Sequence, residues 1–125
     1  MAAAAAAEEA RRGTTRLLAG LGLAVGAALA TRPRRVVDAL APEFPRERLW
    51  VARLLGARLV VQHAAVLIAP SPALVRLGSA VDLAHAASMV PLVASPRYGR
   101  AARISGGCAA AHAAVALGIA PRRDG

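Results

Sequence analysis

Charge in this chain comes in bursts, and the intervals between the bursts are apolar. From Leu17 to Thr31 the sequence reads LLAGLGLAVGAALAT, with no ionisable side chain between Arg16 and Arg32. A helix of about 20 residues is needed to cross a bilayer. This interval is shorter, but arginines at both ends can extend it by reaching towards the headgroups. Trp50 opens a second interval that runs to about Ala69, where Pro70 and Pro72 close it. A third runs from about Leu74 to Ser95, with Pro91 expected to kink it or end it early. A fourth runs from about Ile104 to Ala120, ahead of Pro121, Arg122 and Arg123. The pattern predicts an all-α fold: a small polytopic membrane helical bundle with four transmembrane helices, over about 17–31, 50–69, 74–95 and 104–120. The alanine-rich start predicts a flexible N-terminal tail over 1–15, with a short helical lead-in to the first interval as the alternative. A single transmembrane domain over 16–121 and a short C-terminal tail over 122–125 complete the chain.

The segment from Arg32 to Arg48 is the most charged. Pro33 suits the first position of a helix. Val36, Val37 and Leu40 then recur on one side, with Arg34, Arg35 and Asp38 on the other. This predicts one or two helical turns lying at a membrane surface, ended by Pro42 and Pro45. A plain connecting loop fits the same residues. Trp50, and Tyr98 in the Pro96–Arg100 turn, are candidate interfacial anchors. Arginine counts give an orientation: nine flank the 32–53 and 97–103 loops, against six at the two termini and Arg76. Positive charge is retained on the inner side, so both termini are expected outside. A rival exists for the first interval. Arg11, Arg12 and Arg16 ahead of an apolar run ending in Ala28-Leu29-Ala30 also follow the grammar of a cleaved signal peptide. Gly22, Gly26 and Ala30 favour a retained helix, because small residues four apart let a neighbouring helix approach closely. Gly107 and Ala111 form a similar candidate packing pair in the fourth interval.

Composition reinforces this picture. The chain is 57% hydrophobic and only 2% aromatic, with a mean hydropathy of +0.48. Ala, Leu, Val and Gly suit helices packed in lipid better than a soluble core, which leans on large side chains. The net charge of +9 comes entirely from arginine, with no lysine anywhere. A GC-rich coding bias, together with membrane-flanking arginines, accounts for this. Nucleic acid is not an expected partner, since no basic stripe follows one helix and almost no aromatic side chains are present to stack on bases. The expected partner is the lipid bilayer of the cell membrane, with a homo-oligomer or another membrane protein as a further possibility.

The polar residues inside the apolar intervals are the informative ones, because an ionisable group at membrane depth costs at least about 2.5 kcal/mol. Arg58 lies roughly 12 Å beyond Trp50 along a helix, with Gln62 one turn further on the same face. Asp82 and His85 lie three apart in the third interval. If the second and third helices run antiparallel, Arg58, Gln62, Asp82 and His85 come level and predict a buried polar cluster. Such a cluster serves either as a register-fixing ion pair or as a proton or ion relay; the ion pair is preferred, because nothing else resembles a transport path. Cys108 and His112, at i and i+4, supply only two of the three or four ligands that a metal needs. No metal or cofactor is expected. No phosphate loop, GxSxG elbow, HExxH or Ser/His/Asp arrangement occurs, so no catalytic site is expected either.

Two short motifs carry a family resemblance. Arg53-Leu54-Leu55-Gly56-Ala57-Arg58 has the form R-x-x-G-x-R, and Gly78-Ser79-Ala80-Val81-Asp82-Leu83 has the form G-D-x-x-D-L with Ser79 in place of its first Asp. The region from Leu17 to Ala120 thereby resembles a group of small multi-span proteins of high-GC Gram-positive bacteria. The resemblance implies a four-helix membrane fold and carries no assigned activity. The expected function is that of a structural or accessory membrane protein that packs through its small-residue faces. A small proton-coupled transporter using Asp82 and His85 is the first alternative, and a secreted Ala-rich helical domain after signal removal is the second.

Overall fold

The structure is a computed structural model and describes residues 1–123. Among the described residues it is all helical. Helix α1 spans Ala2–Thr31, α2 Pro33–Leu40, α3 Leu49–Ile68, α4 Pro72–Met89 and α5 Gly99–Ile119, with short 3-10 turns over Arg46–Arg48 and Val90–Leu92. Four of these segments are long and apolar enough to cross a membrane: α1, α3 with its preceding turn, α4 with its following turn, and α5. The proline punctuation acts as the sequence suggests. Pro33 and Pro72 stand in the first turns of α2 and α4, and Pro91 lies in the 3-10 turn that ends α4. The Ser71 hydroxyl caps α4 by accepting from the Leu74 N–H at 3.2 Å.

One boundary differs from expectation. Residues 2–15 are not a flexible tail but the first half of α1, continuous with the apolar stretch. Alanine is the best helix former, and tertiary contacts fix this half as well. Glu8 pairs with Arg12 one turn on, at 3.8 Å, and its carboxylate accepts from the backbone N–H groups of Arg122 and Arg123. Arg11 donates to the carbonyls of Gly118 and Ala120, and Arg16 to that of Leu67. These arginines therefore cap the C-terminal ends of α5 and α3, where free carbonyls and the negative end of the helix dipole favour a cation. Of the expected C-terminal tail over 122–125, residues 124 and 125 lie outside the described residues.

The four long helices run up and down in sequence, forming a ring in which α1 meets α3, α3 meets α4, α4 meets α5, and α5 returns to α1. The closest seams are α1 against α3 and α4 against α5. Small residues make both. On α1, Gly26 faces Gly56 of α3 so closely that a Cβ on Gly56 would lie 2.7 Å from the Gly26 carbonyl oxygen. Gly22 leaves space filled by the His63 ring. Across the second seam, Gly106 lies against Met89 and Ala86, and Ala102, Ala109, Ala113 and Ala116 are buried along the same face of α5. Gly107 and Ala111 need correcting here: both are exposed, and nothing lies within 4 Å of a Cβ placed on Gly107. The packing face of α5 sits beside the expected one, because the buried positions follow 102, 106, 109, 113 and 116, the 3.6-residue period.

Most of the large apolar side chains lie outside; Val66 and Val75, buried with Ala19 and Ala116, are exceptions. Leu17 and Leu21 on α1, Leu54, Val61 and Ile68 on α3, Leu77 on α4 and Val115 on α5 are all more than half exposed. The residues least exposed in the interior are Ala113 at 0% and Asp82 at 1%. A water-soluble domain places its Leu and Val inside; this one keeps mainly small residues, two valines, His63 and an aspartate inside and turns most of its bulk outward.

Candidate functional site

The interior aspartate is the centre of the site. Asp82 lies near the middle of α4, about 15 Å from its start, and meets side chains from two other helices. From α3, Arg58 Nη1 donates to Asp82 Oδ1 at 3.3 Å, and Gln62 Nε2 donates to Asp82 Oδ2 at 3.2 Å. From α5, His112 Nδ1 lies 2.7 Å from Asp82 Oδ2. The carboxylate can only accept, so His112 holds a proton on Nδ1. Arg58 also donates to Gln62 Oε1 at 3.0 Å, and Gln62 Nε2 reaches the Gly78 carbonyl at 3.3 Å.

Local sequence explains this convergence. Arg58 and Gln62 are one turn apart, so both leave α3 on the side facing α4. The α3 and α4 backbones meet at far fewer points than the two close seams do, and the long Arg and Gln side chains bridge what small residues could not. Gly78, one turn before Asp82, admits the Gln62 amide: a Cβ there would lie 3.2 Å from its nitrogen. The His112 ring stands edge-on to His63, with centroids 4.8 Å apart. His63 is itself buried in the notch left by Gly22. A small void of about 20 Å³ adjoins the cluster, bordered by Thr15, Gln62, His63, Ser79 and His112. That is room for about one water molecule, and the buried Ser79 hydroxyl, which has no protein partner, borders it.

The structure thus brings Arg58, Gln62 and Asp82 together and leaves His85 aside. His85 Nε2 has no hydrogen-bond partner. Three residues of helix rotate a side chain by about 60°, enough to turn His85 off the face on which Asp82 meets α3 and α5. Its expected place is taken by His112. Along the sequence His112 stands out only as a neighbour of Cys108, but Cys108 is exposed while His112 turns in to Asp82. The signal for His112 was its place on the small-residue face of α5, next to Ala109, Ala113 and Ala116. Among the described residues no group of three or more His, Cys, Asp or Glu side chains is placed to hold a metal ion. Of the two candidate anchors, Trp50 is 58% exposed in the first turn of α3. Tyr98 is half-buried and stacks edge-on against Phe44 at 5.6 Å, tying two loops together instead of pointing outward.

Electrostatically the cluster is near neutral, with one guanidinium against one carboxylate and a histidine donating its proton. It satisfies Asp82 from three sides and leaves no acceptor on that carboxylate facing solvent, since the side chain is 2% exposed. Such an arrangement resists separation of α3, α4 and α5 more than it offers a binding surface. Compared with family models, with curated proteins and with solved structures, the chain matches none, so the role of the cluster rests on its own geometry.

Proposed function

We propose that the chain is a multi-pass protein of the cell membrane with a structural or accessory role, whose four-helix bundle is held in register by the Arg58–Asp82–His112 cluster. The observation that carries this reading is the inverted distribution of side chains: most of the bulky Leu, Val and Ile outward on all four long helices, with mainly small residues, Val66, Val75 and a fully bonded aspartate inward. In water that surface would be an extended apolar patch. In lipid it is the ordinary exterior, and small-residue seams supply the packing that the hydrophobic effect no longer drives. Helix α1 belongs to the bundle in this reading, since it fills the notch over Gly56 and caps two other helices through Arg11 and Arg16. The test is alkaline carbonate extraction followed by intact-mass analysis. The chain is expected to stay with the membrane pellet and to retain the residues before Thr31. Release as a detergent-free soluble monomer, or a new N-terminus near Thr31, would overturn the reading.

A second reading, a proton relay, is favoured by one specific feature. Asp82, His112 and His63 follow one another in contact, beside a void of water size. Proton flux into vesicles reconstituted with the native chain but not with Asp82→Asn would support it. Equal flux, or none, in both leaves the register role standing.

A further inference from the structure

Where α1 gives way to α2 and α3 begins, an open groove of about 620 Å³ is bordered by Arg32, Arg34, Arg35, Arg53, Leu49 and Trp50. We infer that this groove binds the phosphate headgroup of an anionic lipid; the inference rests on the membrane reading above. Among the described residues none of its four arginines has a carboxylate within ion-pair distance. At the same end of the bundle three other arginines are each paired: Arg46 with Asp38 at 3.3 Å, Arg97 with Glu47 at 2.8 Å and Arg100 with Glu43 at 3.9 Å. Acidic residues are thus available at this end, yet the groove holds four uncompensated guanidinium groups. Guanidinium is the side chain best matched to phosphate, through paired N–H donors.

The groove has a second positive element. Helix α2 starts at Pro33 with no side-chain cap. The backbone N–H groups of Arg34 and Arg35 lie outside its intrahelical ladder and are free to donate to a phosphate oxygen. The third feature chooses between a lipid and a free phosphate. Leu49 and Trp50 form the apolar flank of the groove, and Val51 and Leu54 continue it outward along α3 as exposed side chains. A phosphate bound by the arginines would have its acyl chains running down this strip, whereas free phosphate uses only the basic half. The groove also stands where α1 and α3 would leave the bilayer, at headgroup level.

Trp50 is the only tryptophan in the chain, so its fluorescence reports on this groove alone. The experiment places the full chain in vesicles of phosphatidylglycerol and phosphatidylcholine, brominated on one lipid or the other, and compares quenching of Trp50. Brominated phosphatidylglycerol is expected to quench at least tenfold more effectively per lipid at low salt, and this preference should shrink as salt rises. Arg34→Gln or Arg53→Gln alone should lower the preference by about fivefold, and together with Arg35→Gln should abolish it. The variant Arg46→Gln/Arg97→Gln/Arg100→Gln loses the same formal charge at the same end and should keep the preference. Equal quenching by both lipids in the native chain would overturn the proposal, as would equal loss in both triple variants, which would mean bulk charge. Inorganic phosphate that removes the preference at constant ionic strength would reassign the groove to a free phosphate compound. Quenching by neither lipid, with the chain left below the floated vesicles, would instead overturn the membrane reading itself.

Discussion

The two sides of α3 hold the bundle by opposite means. Towards α1 the contact is backbone on backbone: Gly26 and Gly56 approach until no Cβ fits, and the one charged side chain that crosses, Arg16, does so only at the end of α3, where it caps the Leu67 carbonyl. Towards α4 the backbones stand apart, and Arg58 and Gln62 span the gap to Asp82. The first seam depends on shape and tolerates no added atom. The second depends on charge balance and hydrogen bonding, and tolerates a change of shape provided that no partner is stranded. One helix thus combines close packing of small residues with interhelical polar bonds, the two means by which helices associate in lipid under the membrane reading proposed above.

The sharpest way to break this contrast is Gly56→Val. Its side chain would enter the backbone of α1 at Ala30 and Gly26, which no rotamer can avoid. Folded protein in mild detergent, followed by size-exclusion profile, should be lost. Asp82→Leu comes next. It strands Arg58 inside the bundle, and removing one partner of a buried pair costs about 3–5 kcal/mol, read as a fall in melting temperature and yield. His112→Ala removes one of three donors to Asp82 while Arg58 and Gln62 remain, so a smaller loss of about 1–3 kcal/mol is expected. At the small end, Gly107→Ala should stabilise by about 0.5–1 kcal/mol, because the position is helical and open. A strong loss there would mean that this outer face of α5 packs against another molecule.

Much of the fold was legible because prolines and arginine bursts bound α3, α4, α5 and the C-terminal end of α1, and the intervening apolar runs have no strand-like alternation. The Gly22/Gly26/Ala30 stripe also pointed to the face of α1 that meets α3, since small residues four apart have little other use in an apolar helix. The N-terminal half of α1 was not legible, since what holds it are contacts to α3 and α5 far away in sequence, from Arg11, Arg16 and Glu8. Three of the four members of the polar cluster could be placed from spacing alone: Arg58, Gln62 and Asp82 lie at matching depths on consecutive antiparallel helices. The fourth member could not. His85 and His112 are both one-histidine signals in apolar runs, and only the rotation of α4 and α5 about their axes decides which turns towards Asp82. The same ambiguity of rotation moved the packing face of α5 from Gly107 and Ala111 to Gly106, Ala109 and Ala113.

The central claim is that Arg58 and Asp82 act as one structural unit, and a double-mutant cycle in the purified full chain tests it most directly. Melting temperature and folded yield are measured for the native chain, Arg58→Leu, Asp82→Leu and Arg58→Leu/Asp82→Leu. Each single change leaves an uncompensated group and should be strongly destabilising, whereas replacing both with apolar residues can be near neutral. The account predicts a double variant markedly more stable than either single one. Two losses that simply add in the double variant would contradict it: Arg58 and Asp82 would then be independent, and the cluster would not be what fixes the helices in register.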